Sequence, residues 1–159
     1  MTHETYPGRC TCGSIRYEMT AAPLFVHCCH CTWCQRETGS AFALNAIIEA
    51  SEVRVLEGEP ERIRTDSNSG KGQDYFRCPD CRIALWSVYC GAGEKVLFVR
   101  VGTLEDAVKP EPDIHIFTES KLPWVIIPEG QPVVERYYNR SKYWPESSLV
   151  RFERLLAPA

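Results

Sequence analysis

A mainly β domain with little helix is the fold class that the sequence predicts. Three observations carry that prediction. Short apolar runs recur along the chain, several with apolar and polar residues alternating. Turn formers separate them, with 11 Pro and 10 Gly spread through 159 residues. Only one stretch, near the C-terminus, keeps apolar residues at helical spacing.

Residues 9–20 read as a strand, because Ile15 and Tyr17 alternate with polar neighbours. Residues 24–27 are a short apolar run leading into a cysteine cluster. Thr32–Thr38 predicts a short helix or turn ended by Gly39, and residues 41–48 predict a buried strand. Residues 52–57 and 61–65 flank Gly58-Glu59-Pro60, which predicts a hairpin, and the acidic stretch 52–61 reads as a solvated face. Residues 67–73 are polar and glycine-rich, the composition of an exposed loop. Residues 83–90 and 95–101 flank Gly91-Ala92-Gly93, again in the manner of a hairpin. Residues 114–118 and 124–127 predict further short strands. Leu149, Phe152, Leu155 and Leu156 predict one face of a C-terminal helix over about 147–156. Together these form one domain over 1–159, with its core in about 8–144.

Hydrophobic residues make up 44% of the chain and charged residues 25%, the profile of a soluble globular protein with a real core. A net charge of −3 gives no support for a nucleic-acid partner, which shows as a basic patch. No apolar run approaches the ~20 residues of a membrane helix, and no membrane partner is expected. Residues 1–9 lack the apolar stretch of a signal peptide. A cytoplasmic protein with reduced thiols is therefore expected.

The nine cysteines lie at 10, 12, 28, 29, 31, 34, 78, 81 and 90, and all but Cys90 fall in tight clusters. An odd count excludes complete internal disulfide pairing, and clustered reduced thiols bind metal or do chemistry. On an extended strand Cys10 and Cys12 point to the same face. Cys78-Pro79-Asp80-Cys81 is a C-x-x-C knuckle whose two sulfurs can share an ion. The two pairs supply four thiolates, enough for a closed tetrahedral zinc site. The competing reading, a redox C-x-x-C with Cys10 and Cys12 as bystanders, lacks the βαβ pattern that accompanies such motifs.

Cys29, Cys31 and Cys34 form C-x-C-x-x-C, three sulfurs in six residues. Three protein ligands with an open position is the layout of a catalytic zinc. Two alternatives stand beside it: closure of the site by His27, His30 or Cys28, and metal-free, oxidisable thiols. His115 lies between apolar residues and reads as a strand histidine bonded to backbone or carboxylate. Cys90 reads as a small buried residue, and Trp33, Trp86, Trp124 and Trp144 each read as aromatic core.

Three segments together resemble the glutathione-dependent formaldehyde-activating enzymes, a family that includes the centromere protein V group. They are Cys10-Thr11-Cys12-Gly13-Ser14-Ile15-Arg16-Tyr17, Cys29-His30-Cys31-Thr32-Trp33-Cys34-Gln35-Arg36 and Phe76-Arg77-Cys78-Pro79-Asp80-Cys81. His115-Ile116-Phe117, Ser120 and Pro123-Trp124 extend the likeness, which runs from about Gly8 to Trp144. The resemblance implies a β-tent of short antiparallel sheets around zinc. It implies a structural zinc on Cys10, Cys12, Cys78 and Cys81, and a catalytic zinc on Cys29, Cys31 and Cys34. It implies a carbon–sulfur lyase whose partners are a glutathione-like thiol as co-substrate and a small aldehyde, formaldehyde in the family's named activity. A different class, a zinc-stabilised binding or redox-sensing module without lyase activity, is the alternative. Two departures stand out. Arg82 occupies a place where the family has glycine, and is expected to strain the knuckle or put a charge beside it. Cys28 adds a thiol beside Cys29 that is expected to compete as a ligand or to pair within the cluster if zinc is lost.

Overall fold

The computed structural model describes residues 4–158. The chain opens with β1 (Tyr6–Arg9) and β2 (Arg16–Met19), crosses to β3 (Phe25–Cys29), and turns through α1 (Thr32–Thr38) into β4 (Ala43–Glu49). β5 (Val53–Glu57), β6 (Glu61–Thr65), β7 (Gln73–Arg77), β8 (Ala84–Tyr89), β9 (Val96–Arg100) and β10 (Ile114–Ile116) follow. A long irregular segment then leads to α2 (Arg140–Tyr143) and α3 (Glu146–Leu156). The expected mainly β architecture with few helices is what the chain adopts. Among the described residues, no helix is long and apolar enough to cross a membrane.

The strands form two sheets. The smaller has the order β1-β2-β5 and the larger β10-β3-β4-β9-β8-β7-β6. Every pairing is antiparallel except β10 with β3, where Ile114 lies opposite His27 and Ile116 opposite Cys29. Alternation along the central strands sends successive side chains to opposite faces of the larger sheet. Val26, Ala46, Ile48, Leu97 and Val99 meet Tyr17 and Met19 of the smaller sheet, and Ile15 just before β2, in one core. Phe25, Cys29, Ile47, Val96, Ile114 and Ile116 face the other way and pack under Trp144 and Phe152 of the C-terminal segment. Because both faces are covered, β3 is buried at every position. That is why 24–27, most of which lies in β3, reads as a short apolar run rather than a clean alternation.

Four expectations need correction. Residues 10–14 are a tight turn between β1 and β2, not the middle of one strand. β5 and β6 do not form a hairpin: β5 pairs with β2 and β6 with β7, so Gly58 carries the chain from one sheet to the other. A side chain there would meet the Ser14 carbonyl oxygen at 2.3 Å, and φ is +74°, so the crossing needs glycine. Residues 124–127 are irregular rather than a strand, with Val125 N–H closing a turn on the Leu122 carbonyl. The loop at 67–73 is not wholly exposed, since Ser67 is buried and its Oγ accepts the Gly72 N–H at 3.0 Å.

Candidate functional site

Two similar turns present the first group of thiols. In the β1–β2 turn Cys10 N–H donates to Ile15 O at 3.1 Å, and in the β7–β8 turn Cys78 N–H donates to Ile83 O at 3.0 Å. Each turn therefore closes on itself and leaves two sulfurs on one side. The Sγ atoms of Cys10, Cys12, Cys78 and Cys81 all lie within 4.8 Å of one another. Cys10 Sγ is 3.5 Å from Cys12 Sγ, which is 3.6 Å from Cys78 Sγ. Sulfurs at the corners of a tetrahedron with metal–sulfur bonds of ~2.3 Å stand ~3.8 Å apart, so the donor set fits zinc. Hydrogen bonding with the Ser14 hydroxyl and backbone pushes the Cys12 thiol down to about 6.

Cys29, Cys31 and Cys34 form the second group, again within 4.8 Å of one another. Cys29 ends β3, Cys31 is the N-cap of α1, and Cys34 sits in its first turn. Cys31 Sγ accepts the Cys34 N–H at 3.3 Å, so one sulfur both caps the helix and faces its neighbours. Hydrogen bonds from the Cys29 and Cys34 thiols push Cys31 down to about 3, and Cys29, as the donor, is raised. Three convergent sulfurs suit a soft or borderline cation such as zinc. His27, His30 and Cys28 do not join this group. Arg100, buried beside it, was invisible as a site residue in the sequence, where it is merely one member of the run 95–101. Its Nη1 donates to Asn45 Oδ1 at 2.6 Å, its Nη2 has no partner, and its charge opposes in part the upward shift that the Cys31 sulfur and burial impose on Cys34.

The second group opens into a cavity of about 610 Å³. Aromatic side chains, among them Phe98, Tyr137, Tyr138 and Trp144, share its wall with polar ones such as Ser67, Asn68 and Gln73. Lys71 and Arg140 also line it, and neither makes an ion pair among the described residues. Instead the Arg140 guanidinium lies 4.1 Å from the centre of the Phe152 ring. Cys90, expected in the core, is exposed and lies on this wall. Of the tryptophans only Trp86 is purely core, while Trp124 is 71% exposed.

Cys28, His30 and His115 form a third cluster, on the face of β3 turned away from the cavity. All three are buried. His30 Nε2 is 3.6 Å from Cys28 Sγ and 2.9 Å from His115 Nδ1, so His115 pairs with a second imidazole rather than with backbone or carboxylate. The outer nitrogens, His30 Nδ1 and His115 Nε2, have no partner. A metal on the inner nitrogens would leave both outer N–H groups orphaned, each at ~1–3 kcal/mol, where the hydrogen-bonded pair orphans one. The cluster fits a neutral, buried imidazole pair better than a metal, and burial, together with the repulsion from Lys121 and from any proton on His115, pushes His30 down to about 4.

His27 is two residues before Cys29 and faces the cavity with it. Its Nε2 is hydrogen-bonded to the Tyr138 hydroxyl, which also accepts the Trp144 Nε1–H at 2.7 Å. Burial pushes His27 down to about 3, because the charged ring is poorly solvated there.

Residues 5–120 match the model of a family described as "Glutathione-dependent formaldehyde-activating enzyme". Among solved structures, a crystal structure of a Rhodobacter sphaeroides protein is 22% identical, covering 62% of this chain and 87% of that one at a TM-score of 0.47. No curated protein matches the chain.

Proposed function

The chain belongs to the glutathione-dependent formaldehyde-activating enzyme family, and we propose that it is a cytoplasmic, zinc-dependent carbon–sulfur lyase that joins and parts a glutathione-like thiol and an aldehyde. The observation that carries the reading is the three-thiol group of Cys29, Cys31 and Cys34 opening into a cavity. Cys10, Cys12, Cys78 and Cys81 hold a closed structural zinc in this reading, and the three-thiol group holds the catalytic one. The chemistry that zinc supplies in an open thiolate set is ionisation of a further thiol and its retention as the anion.

The chain's own residues do the rest. The aromatic side chains of the wall keep bulk water from the reacting carbon. Lys71 and Arg140, which make no ion pair among the described residues, hold the carboxylates of an acidic thiol. Arg100 offsets the negative charge that three thiolates accumulate beside Cys34.

Cys31→Ser is the sharpest test, because serine is a good N-cap and keeps α1 intact while removing a soft ligand. The wild type should carry two zinc ions per chain and accelerate exchange between glutathione and formaldehyde, measured by NMR. Cys31→Ser should keep one ion, fold normally and lose the acceleration by about 100-fold or more. A variant with two ions and full rate would refute the assignment. One ion in the wild type, with no acceleration, would favour a binding or redox-sensing module.

A further inference from the structure

Three side chains from two distant parts of the chain form a hydrogen-bonded row that ends in the cavity: Trp144, Tyr138 and His27. The direction of each bond follows from chemistry. An indole N–H can only donate, so the Tyr138 oxygen accepts from Trp144 at 2.7 Å. The Tyr138 O–H proton then has one acceptor in reach, His27 Nε2. The opposite assignment, with Nε2 donating, would give the phenol oxygen two donors and leave its own proton without an acceptor, at ~1–3 kcal/mol. Nε2 is therefore bare, and a neutral imidazole with a bare Nε2 carries its proton on Nδ1.

His27 Nδ1 has no hydrogen bond among the described residues, and it is not one of the fully enclosed nitrogens without a partner. His27 is only 2% exposed and lines the cavity, so the opening that Nδ1 meets is the cavity itself. Cys29 lies two residues along the same strand face, ~6.6 Å away at the usual rise. A donor and a group of thiols thus flank one space.

We infer that Tyr138, held by Trp144, fixes His27 as the Nδ1–H tautomer and so makes that N–H the hydrogen-bond donor to the substrate oxygen. This rests on the lyase reading above. In that reaction the thiol sulfur forms a bond to the carbonyl carbon, and the carbon–oxygen π pair moves onto oxygen. The oxygen then takes, through water, the proton the thiol gave up. Negative charge grows on that oxygen, and a preorganised neutral N–H stabilises it without itself giving up its proton. His27 is the residue that touches substrate, and Tyr138 is a positioning residue. Tyr138 and Trp144 both lie beyond the span 5–120 that matches the family model, while His27 lies within it.

Nitrogen-15 NMR of the histidine rings in the zinc-loaded protein reads the tautomer without any turnover. The wild type should show His27 protonated at Nδ1 with a bare Nε2. Tyr138→Phe keeps the ring and removes the hydroxyl, so the proton should redistribute toward Nε2. The same variant should lose about tenfold or more in exchange rate, with zinc content and the KM for glutathione unchanged. Trp144→Phe, which removes only the outer donor, should shift both readouts in the same direction by less, and it serves if Tyr138→Phe does not fold. A wild-type His27 protonated at Nε2 would overturn the inference. So would a variant whose tautomer shifts while its rate stays whole. A wild type that accelerates no thiol–aldehyde exchange would remove the lyase reading and the donor role with it. The substrate-free spectrum would still report the tautomer separately, so the two failures are distinguishable.

Discussion

Arg82 shows how a single residue can run against its local geometry. It has φ +64°, in the left-handed region, and closes the β7–β8 turn with its N–H on the Cys78 carbonyl at 3.0 Å. Gly13 holds the matching place in the β1–β2 turn at φ +84°, where glycine carries no penalty. An L-residue in this region costs ~1–2 kcal/mol. Arg82 recovers part of that through an exposed ion pair with Glu61, worth ~0–1 kcal/mol. Replacing it with glycine removes the strain and the ion pair, and adds ~0.5–1 kcal/mol of unfolded-state entropy to be lost on folding. Arg82→Gly is therefore expected to be neutral to ~0.5 kcal/mol more stable, and Arg82→Ala less stable than either. Denaturant midpoints at fixed zinc check this. If the glycine variant fell by more than ~1 kcal/mol, strain would not be the governing term at this position.

At the scale of an element, α3 is the piece on which the cavity depends. Its apolar face was legible from the spacing of Leu149, Phe152 and Leu155, all of which pack into the second core. Leu156, read on the same face, is 47% exposed because it is the last helical residue and overhangs that core. Phe152 is the buried apolar side chain of α3: it meets the Trp144 ring edge-on at 5.5 Å and lies under the Arg140 guanidinium. Phe152→Ala should cost about 3 kcal/mol of stability, measured by chemical denaturation. It should also loosen Trp144, and through it Tyr138, so the His27 tautomer should shift as in Trp144→Phe. Destabilisation with an unchanged tautomer would show that α3 supports the fold without ordering the cavity. The short α2 had no such signature. Its four residues are set by Asn139, whose Oδ1 accepts the Ser141 N–H at 3.1 Å, a cap that is easily read only once the neighbouring wall is in place.

For the molecule as a whole, the four-thiol group brings turns of the two sheets together, and with the proposed zinc bound it would clip them to each other. Cys10 and Cys12 leave the smaller sheet and Cys78 and Cys81 the larger. Without a metal, the sheets would be held by the first core and by contacts such as Tyr17 Oη to Thr103 Oγ1 at 2.6 Å. Cys78→Ser should therefore lose one zinc and several kcal/mol. The loss should be less than the ~10–16 kcal/mol of a peptide that folds only around its metal, since a core remains. Amide exchange should quicken first in β1, β2 and β5, and last in β3 and β4. Cys31→Ser should lose the other zinc without that pattern. A uniform loss of protection in Cys78→Ser would mean that the metal supports the entire fold rather than one junction.

What the sequence determined by itself was whatever depends on neighbours along the chain. The C-x-C-x-x-C group, the helix from Thr32 to Thr38, the short strands and the α3 face are all set by spacing over a few residues. The two cysteine pairs were legible as pairs, and counting ligands was enough to put them together. The tertiary structure alone decided which sheet each strand joins, which is why 52–65 looked like a hairpin and is a crossing. It alone brought His115 to His30, Arg100 to Cys34, and Tyr138 and Trp144 to His27. Periodicity states which face of a strand a side chain takes. It carries no information on what distant segment will cover that face, and here that covering segment builds the cavity.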